Sequence, residues 1–284
     1  MNTSVVSSTS EPVTLQKLKL PTISEQGMKA LEIINVEDLK FNELESALSA
    51  DPMLTGILLK YANSPMYRKF VEITDVRKAI NLLGVDIVKS AILICTMRSY
   101  CNPTNPAKEM LWEKSIHFSI MAKLVARKAY RRFADAIELS AMMSQIGGLV
   151  LSSNFVEGYS VVVDNTEKNN SLIEEEELKY FGLSRADVTA YALEKLRLPQ
   201  DIITALTLYY QGVIPSEIET KADMHVVTLT LASLLINDID NKTESEIKSK
   251  PEVISLMEAL GLVDSDIDDF VDTYNEKVSE GFSF

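Results

Sequence analysis

Residues 51–84, DPMLTGILLKYANSPMYRKFVEITDVRKAINLLG, set where two helices begin, end and turn, and few folds accept that order of breaks. Met53, Leu54, Ile57, Leu58, Tyr61 and Ala62 recur at spacings of three and four, so they share one helix face that must be buried. Asp51 can accept from the first free amides, and Pro52 suits the first helical position. Asn63, Ser64 and Pro65 end the helix, because a residue before proline is driven out of the α region and Asn or Ser bonds nearby backbone. A second helix is predicted from Thr74, with Val76, Ala79, Ile80 and Leu83 inward and Gly84 at a left-handed end.

The remaining chain carries the same periodicity. Helices are predicted within 18–34, around Phe41, Leu44, Ala47 and Leu48, from Asp86, and over Met110–Tyr130. Residues 134–151 read as a buried helix interrupted at Gly147-Gly148. Residues 164–177 read as a polar loop leading into a helix start, where acidic residues suit the helix dipole. Further helices are expected over 183–196, 199–210, 226–236, 251–260 and 264–278, with 237–250 a mobile, charged connection. No strand-like alternation is long enough to count. The expected fold is all-α, in two packed helical halves over 15–100 and 110–284, with a disordered tail at 1–14 and a hinge at 101–109 marked by Pro103 and Pro106.

Charge and cysteine content narrow the function. The chain has 284 residues and a net charge of −13, which repels phosphate backbones and anionic bilayers, so neither nucleic acid nor a membrane is expected as a partner. Arg127, Lys128, Arg131 and Arg132 form a local basic patch, read either as a solvated helix end or as a docking site for an acidic partner. Two cysteines, Cys95 and Cys101, make neither a disulfide framework nor a zinc pattern. The longest apolar run, Val226–Ile236, is too short for a span of about 18 to 20 residues. A cytoplasmic location is expected. There is no Gly-rich phosphate loop.

The segment around Asp51, Pro52, Leu54, Leu58, Leu59, Ala62, Asn63 and Ser64, followed by Ala79, Ile80, Leu82, Leu83 and Gly84, resembles the hallmark of the HD-related output domain (HDOD) family. Leu20-Pro21 resembles the family's opening. The resemblance implies that the second half is an HD-like helical bundle, a degenerate relative of the HD metal-dependent phosphohydrolases. Those enzymes hold metal ions with inward His and Asp ligands, and the metals lower the pKa of bound water and screen phosphate charge.

By the same resemblance, the first ligand histidine is replaced by Lys114, in Trp112-Glu113-Lys114-Ser115. The defining His-Asp pair becomes Ser144 and Gln145. A later histidine becomes Arg185, in Gly182-Leu183-Ser184-Arg185, a His-His pair becomes Tyr209-Tyr210, and the last aspartate becomes Ser233. None of these side chains competes for a catalytic divalent metal as His or Asp does. The only histidines, His117 and His225, read as structural. No catalytic or metal-binding residue and no cofactor is therefore expected. The resemblance implies a non-catalytic module in bacterial signal transduction that works through a protein partner. Two alternatives remain open at this level: a sensor holding a nucleotide or other phosphate ligand in the degenerate pocket of Lys114, Ser144, Gln145, Arg185, Tyr209, Tyr210 and Ser233, and a metal-dependent phosphohydrolase.

Overall fold

A computed structural model describes residues 13–36, 38–64, 67, 72–101, 105–239 and 242–279. The helices α1 (Glu25–Ile34), α2 (Phe41–Ser49), α3 (Pro52–Asn63), α4 (Val76–Leu83) and α5 (Val85–Tyr100) come first. They are followed by α6 (Pro106–Ala129), α7 (Ala134–Met143), α8 (Ile146–Asn154), α9 (Val156–Asn169), α10 (Ile173–Phe181), α11 (Arg185–Lys195) and α12 (Gln200–Tyr210). The chain closes with α13 (Lys221–Ile239), α14 (Glu244–Lys248), α15 (Pro251–Ala259) and α16 (Asp264–Ser279). Short 3-10 turns occupy Leu15–Lys17 and Arg131–Phe133, and the described residues contain no strand.

The predicted punctuation of α3 and α4 is visible in the hydrogen bonds. Asp51 accepts from the Met53 and Leu54 amides at 3.0 and 3.2 Å, and Pro52 opens α3. Asn63 does more than end the helix. Its side chain donates to the Ile73 carbonyl at 2.6 Å and accepts from the Ile73 amide at 2.7 Å, closing the base of the connection to α4. Gly84 takes φ of +80°, a conformation an L side chain rarely adopts, and lets α4 turn directly into α5.

The long helix α6 forms the axis of the second bundle, with α7, α8, α9, α13 and α16 packed around it. Leu111, Trp112, Ile116, Met121, Val125 and Ala126 are all buried along its length, as expected of a helix enclosed on most sides. The first half joins the same core through α5, which meets α7 and α8. Segment 18–20 straps the halves together: the Lys19 amide donates to Asn154 at 2.8 Å, and the Lys19 carbonyl accepts from Asn154 at 2.9 Å and from Tyr100 at 2.6 Å.

Several boundaries differ from the sequence reading. Residues expected to form a loop at 164–177 are largely helical: α9 runs to Asn169, Asn170 takes a left-handed φ of 48°, and α10 begins at Ile173. The break in 134–151 falls at Ser144-Gln145, and both glycines lie inside α8. Within 237–250, α13 continues to Ile239 and α14 is fixed by a capping box between Thr243 and Glu246. Of the expected hinge, 102–104 lie outside the described residues, Asn105 caps α6 and residues 106–109 form its first turn. Residues 1–12 of the expected tail also lie outside the described residues.

By length and composition α13 could cross a membrane, but 56% of it is buried inside the protein. Helices α4 and α5 meet the same criterion only as a pair bent by 115°.

Candidate functional site

Arg185 opens α11 and is one of the largest fully buried side chains, although arginine is seldom buried unless paired. Glycines create its space. A Cβ at Gly148 would lie 2.9 Å from Arg185 Nη2 and 3.1 Å from Tyr159 Oη. One at Gly147 would lie 2.9 Å from the Arg185 carbonyl oxygen and 2.5 Å from Thr189 Oγ1. The Gly-Gly pair thus lets α11 cross α8 closely enough to tuck the guanidinium between α8, α9 and α10.

All five guanidinium donors find acceptors there. Nε donates to Glu177 Oε2 at 2.8 Å, and Nη2 donates to Glu177 Oε1 at 2.5 Å and to Tyr159 Oη at 3.1 Å. Nη1 donates to Gln145 Oε1 at 2.7 Å and to Glu174 Oε1 at 2.8 Å. Tyr159 in turn donates to Glu177 Oε1 at 2.6 Å. Burial works against the Arg185 charge, but Glu177, Tyr159 and Glu174 more than offset it, so the guanidinium stays protonated. Burial pushes the Tyr159 hydroxyl far above its usual range, so it acts as a neutral donor.

The other predicted pocket residues join this centre. Gln145 donates to Ser144 Oγ at 3.3 Å, Tyr210 donates to the Ser144 carbonyl at 2.6 Å, the Tyr209 and Tyr210 rings meet edge to face at 5.3 Å, and Tyr209 donates to Ser233 at 3.0 Å. Burial raises the pKa of both tyrosines. Lys114 lies at the rim. Its residue is exposed, yet surrounding protein and then the Arg185 guanidinium lower its pKa, against the opposing pull of Glu174 and Glu177. The two lysine and arginine charges are matched by the two glutamates, leaving the site electrically balanced.

The sequence reading missed Glu174, Glu177 and Tyr159. The glutamates sat in a stretch taken for a loop and helix start, and only their three-residue spacing on one helix face hinted that a cation lay opposite. It also missed a second buried centre. Lys123, 2% exposed, donates to Glu138, to Asp135 at 3.0 Å and to Tyr67 Oη at 3.0 Å, while Tyr67 donates to Asp135 at 2.8 Å. Desolvation opposes the Lys123 charge, but Glu138, Tyr67 and Asp135 outweigh it and hold its pKa above the ordinary value. A lysine inside the otherwise apolar run 120–126 was the available signal. The histidines have side-chain partners: His225 Nδ1 bonds Ser140 Oγ at 2.8 Å and His117 Nδ1 bonds Tyr274 Oη at 2.5 Å.

The resemblance to HD phosphohydrolases would imply a metal centre, and the residues present do not fit one. Among the described residues no group of three or more His, Cys, Asp or Glu side chains could hold a metal ion. The two glutamates nearest Gln145 already serve the guanidinium, and a divalent ion beside it would meet a fixed like charge.

The HDOD domain family matches residues 20–211, and the chain belongs to that family. The fold is shared with solved structures. An HDOD domain protein of unknown function from Geobacter sulfurreducens is 19% identical, with a TM-score of 0.69 over 94% of this chain and 92% of that one. A protein from Shewanella amazonensis SB2B, provisionally named a phosphohydrolase, is 15% identical, with a TM-score of 0.68 over 91% of each chain. A protein from Marinobacter aquaeolei VT8, provisionally named for signal transduction, is 17% identical, with a TM-score of 0.68 over 93% of this chain and 58% of that one. No curated protein matches.

Proposed function

We propose that this chain is a non-catalytic HDOD signalling module of the cytoplasm that works by docking a partner protein. One observation carries the reading: the Arg185 guanidinium, with all five donors engaged by Glu177, Glu174, Gln145 and Tyr159, occupies the centre of the cluster that the resemblance assigns to metal ligands. A permanent side-chain cation there neutralises the local carboxylates but cannot activate water as a bound metal does. Membership of an output-domain family, and a relative named for signal transduction, support recognition as the remaining work.

The same geometry disfavours the phosphate-sensor alternative. Arg185 has no donor free to receive a phosphate unless it gives up a present partner, and the matched charges create no net attraction. The phosphohydrolase alternative rests on a relative's provisional name, and fold alone does not carry function. Protein purified without chelators should hold less than stoichiometric manganese, iron or nickel and show no phosphodiesterase turnover above a blank. Stoichiometric metal with turnover would overturn the proposal. Calorimetric titration with cyclic dinucleotides should give no heat; saturable binding that weakens in Lys114→Ala would favour the sensor.

A further inference from the structure

Positive charge gathers at the corner between α6 and α7, on a chain whose net charge is −13. Arg127 and Lys128 close α6, Arg131 and Arg132 occupy the 3-10 turn that follows, and all four are exposed. The negative end of the α6 dipole accounts for the first two. It accounts less well for Arg131 and Arg132, which lie past that last turn and just before the positive end of α7. Internal pairing does not neutralise the group either. Lys128 pairs with Asp266 at 2.8 Å, whereas Arg127, Arg131 and Arg132 have no ion pair among the described residues. Arg127 is felt electrostatically by Asp135 and Glu138, but those carboxylates are engaged with Lys123.

Aromatic surface lies between these cations. The Arg132 guanidinium sits 6.0 Å from the Phe133 ring centroid and the Lys221 ammonium 5.9 Å from the same ring, with Phe133 and Tyr130 each half-buried. Arginine and aromatic side chains are the types that protein interfaces enrich.

We propose that this corner is the docking surface for an acidic segment of a partner protein, which rests on the reading above that the chain acts through protein contacts. Charge selects the partner's class. A long polyanion or an anionic bilayer would extend beyond the corner over a surface that is strongly negative overall. A short carboxylate-rich segment meets only the cations, and at physiological ionic strength screening over about 8 Å confines the attraction to them.

Fluorescence anisotropy on the full chain, with fluorescein-labelled decaglutamate as probe at low and physiological salt, tests the surface. The probe should bind more weakly as salt rises, and about tenfold more weakly to Arg127→Ala/Arg131→Ala/Arg132→Ala. The matching triple lysine variant should stay within roughly threefold of the parent, since it keeps the charges. Circular dichroism should show both variants folded, because the substituted side chains are exposed. No binding by the parent chain, or equal binding by the alanine variant, overturns the proposal. So does tighter binding of an oligothymidylate or of phosphatidylserine vesicles at the same residues. Phosphodiesterase turnover in the same preparation would sink the functional reading and leave the corner standing; failure of the peptide would sink the corner without supplying a metal ligand.

Discussion

Arg185 is the side chain on which the proposed non-catalytic reading turns. Its partner Glu177 is completely buried, so truncating the arginine strands a carboxylate in a medium that solvates it poorly. Arg185→Ala should cost about 3 to 5 kcal/mol in urea unfolding, whereas Arg185→Leu combined with Glu177→Leu should recover most of that loss. A loss under about 1 kcal/mol for the single variant would mean that the pair is not desolvated as described. His225 makes a second residue-scale case. Burial, aided by Lys221 and opposed by Asp201, lowers its pKa from 6.5 to about 4. The unfolded chain therefore binds a proton that the folded chain refuses, and stability falls as pH drops from about 6.5 towards 4. The expected loss is about 1 kcal/mol by pH 5.5 and roughly 3 kcal/mol by pH 4. Urea midpoints of the parent and His225→Gln across that range measure it; parallel curves would contradict it.

At the scale of helices, α3, α4 and their caps were legible because Asp51 and Asn63 bond nearby backbone while Pro52 and Gly84 set the local backbone conformation, all of which sequence spacing encodes. The glycines of α8 were misread for the opposite reason. Gly147 and Gly148 look like a helix break, but they serve a contact with α11, which lies more than thirty residues away in the chain and leaves no local trace. Polar content likewise suggested a loop at 164–177, although glutamate and lysine are good helix formers and buried Val162 and Glu177 fix α9 and α10 from the core side. Since a Cβ at Gly147 would meet α11 backbone at the Arg185 carbonyl and the Thr189 amide as well as Thr189 Oγ1, and the backbone cannot swing aside, Gly147→Ala should destabilise by about 1 to 3 kcal/mol or more. Gly56→Ala, with nothing within 4 Å, should be neutral or mildly stabilising by up to about 1 kcal/mol. Equal losses at the two sites would argue against the close crossing.

Across the whole molecule, two buried charge centres follow one rule: a cation inside the second bundle is neutralised by carboxylates from an adjacent helix. One of them, Lys123 with Glu138, Asp135 and Tyr67, also ties the α3–α4 connection to the second bundle. The family resemblance implied which positions stand in for metal ligands, but not what surrounds them, because Glu174, Glu177 and Tyr159 lie outside those positions. The central claim is that a guanidinium stands where an HD enzyme would hold metal. Anomalous diffraction from crystals grown with excess manganese tests it most directly. Continuous side-chain density for Arg185 against Glu177, with no anomalous peak beside Gln145, Glu174 or Glu177, is the expected result; a manganese peak coordinated by those residues, with Arg185 swung away, would contradict it.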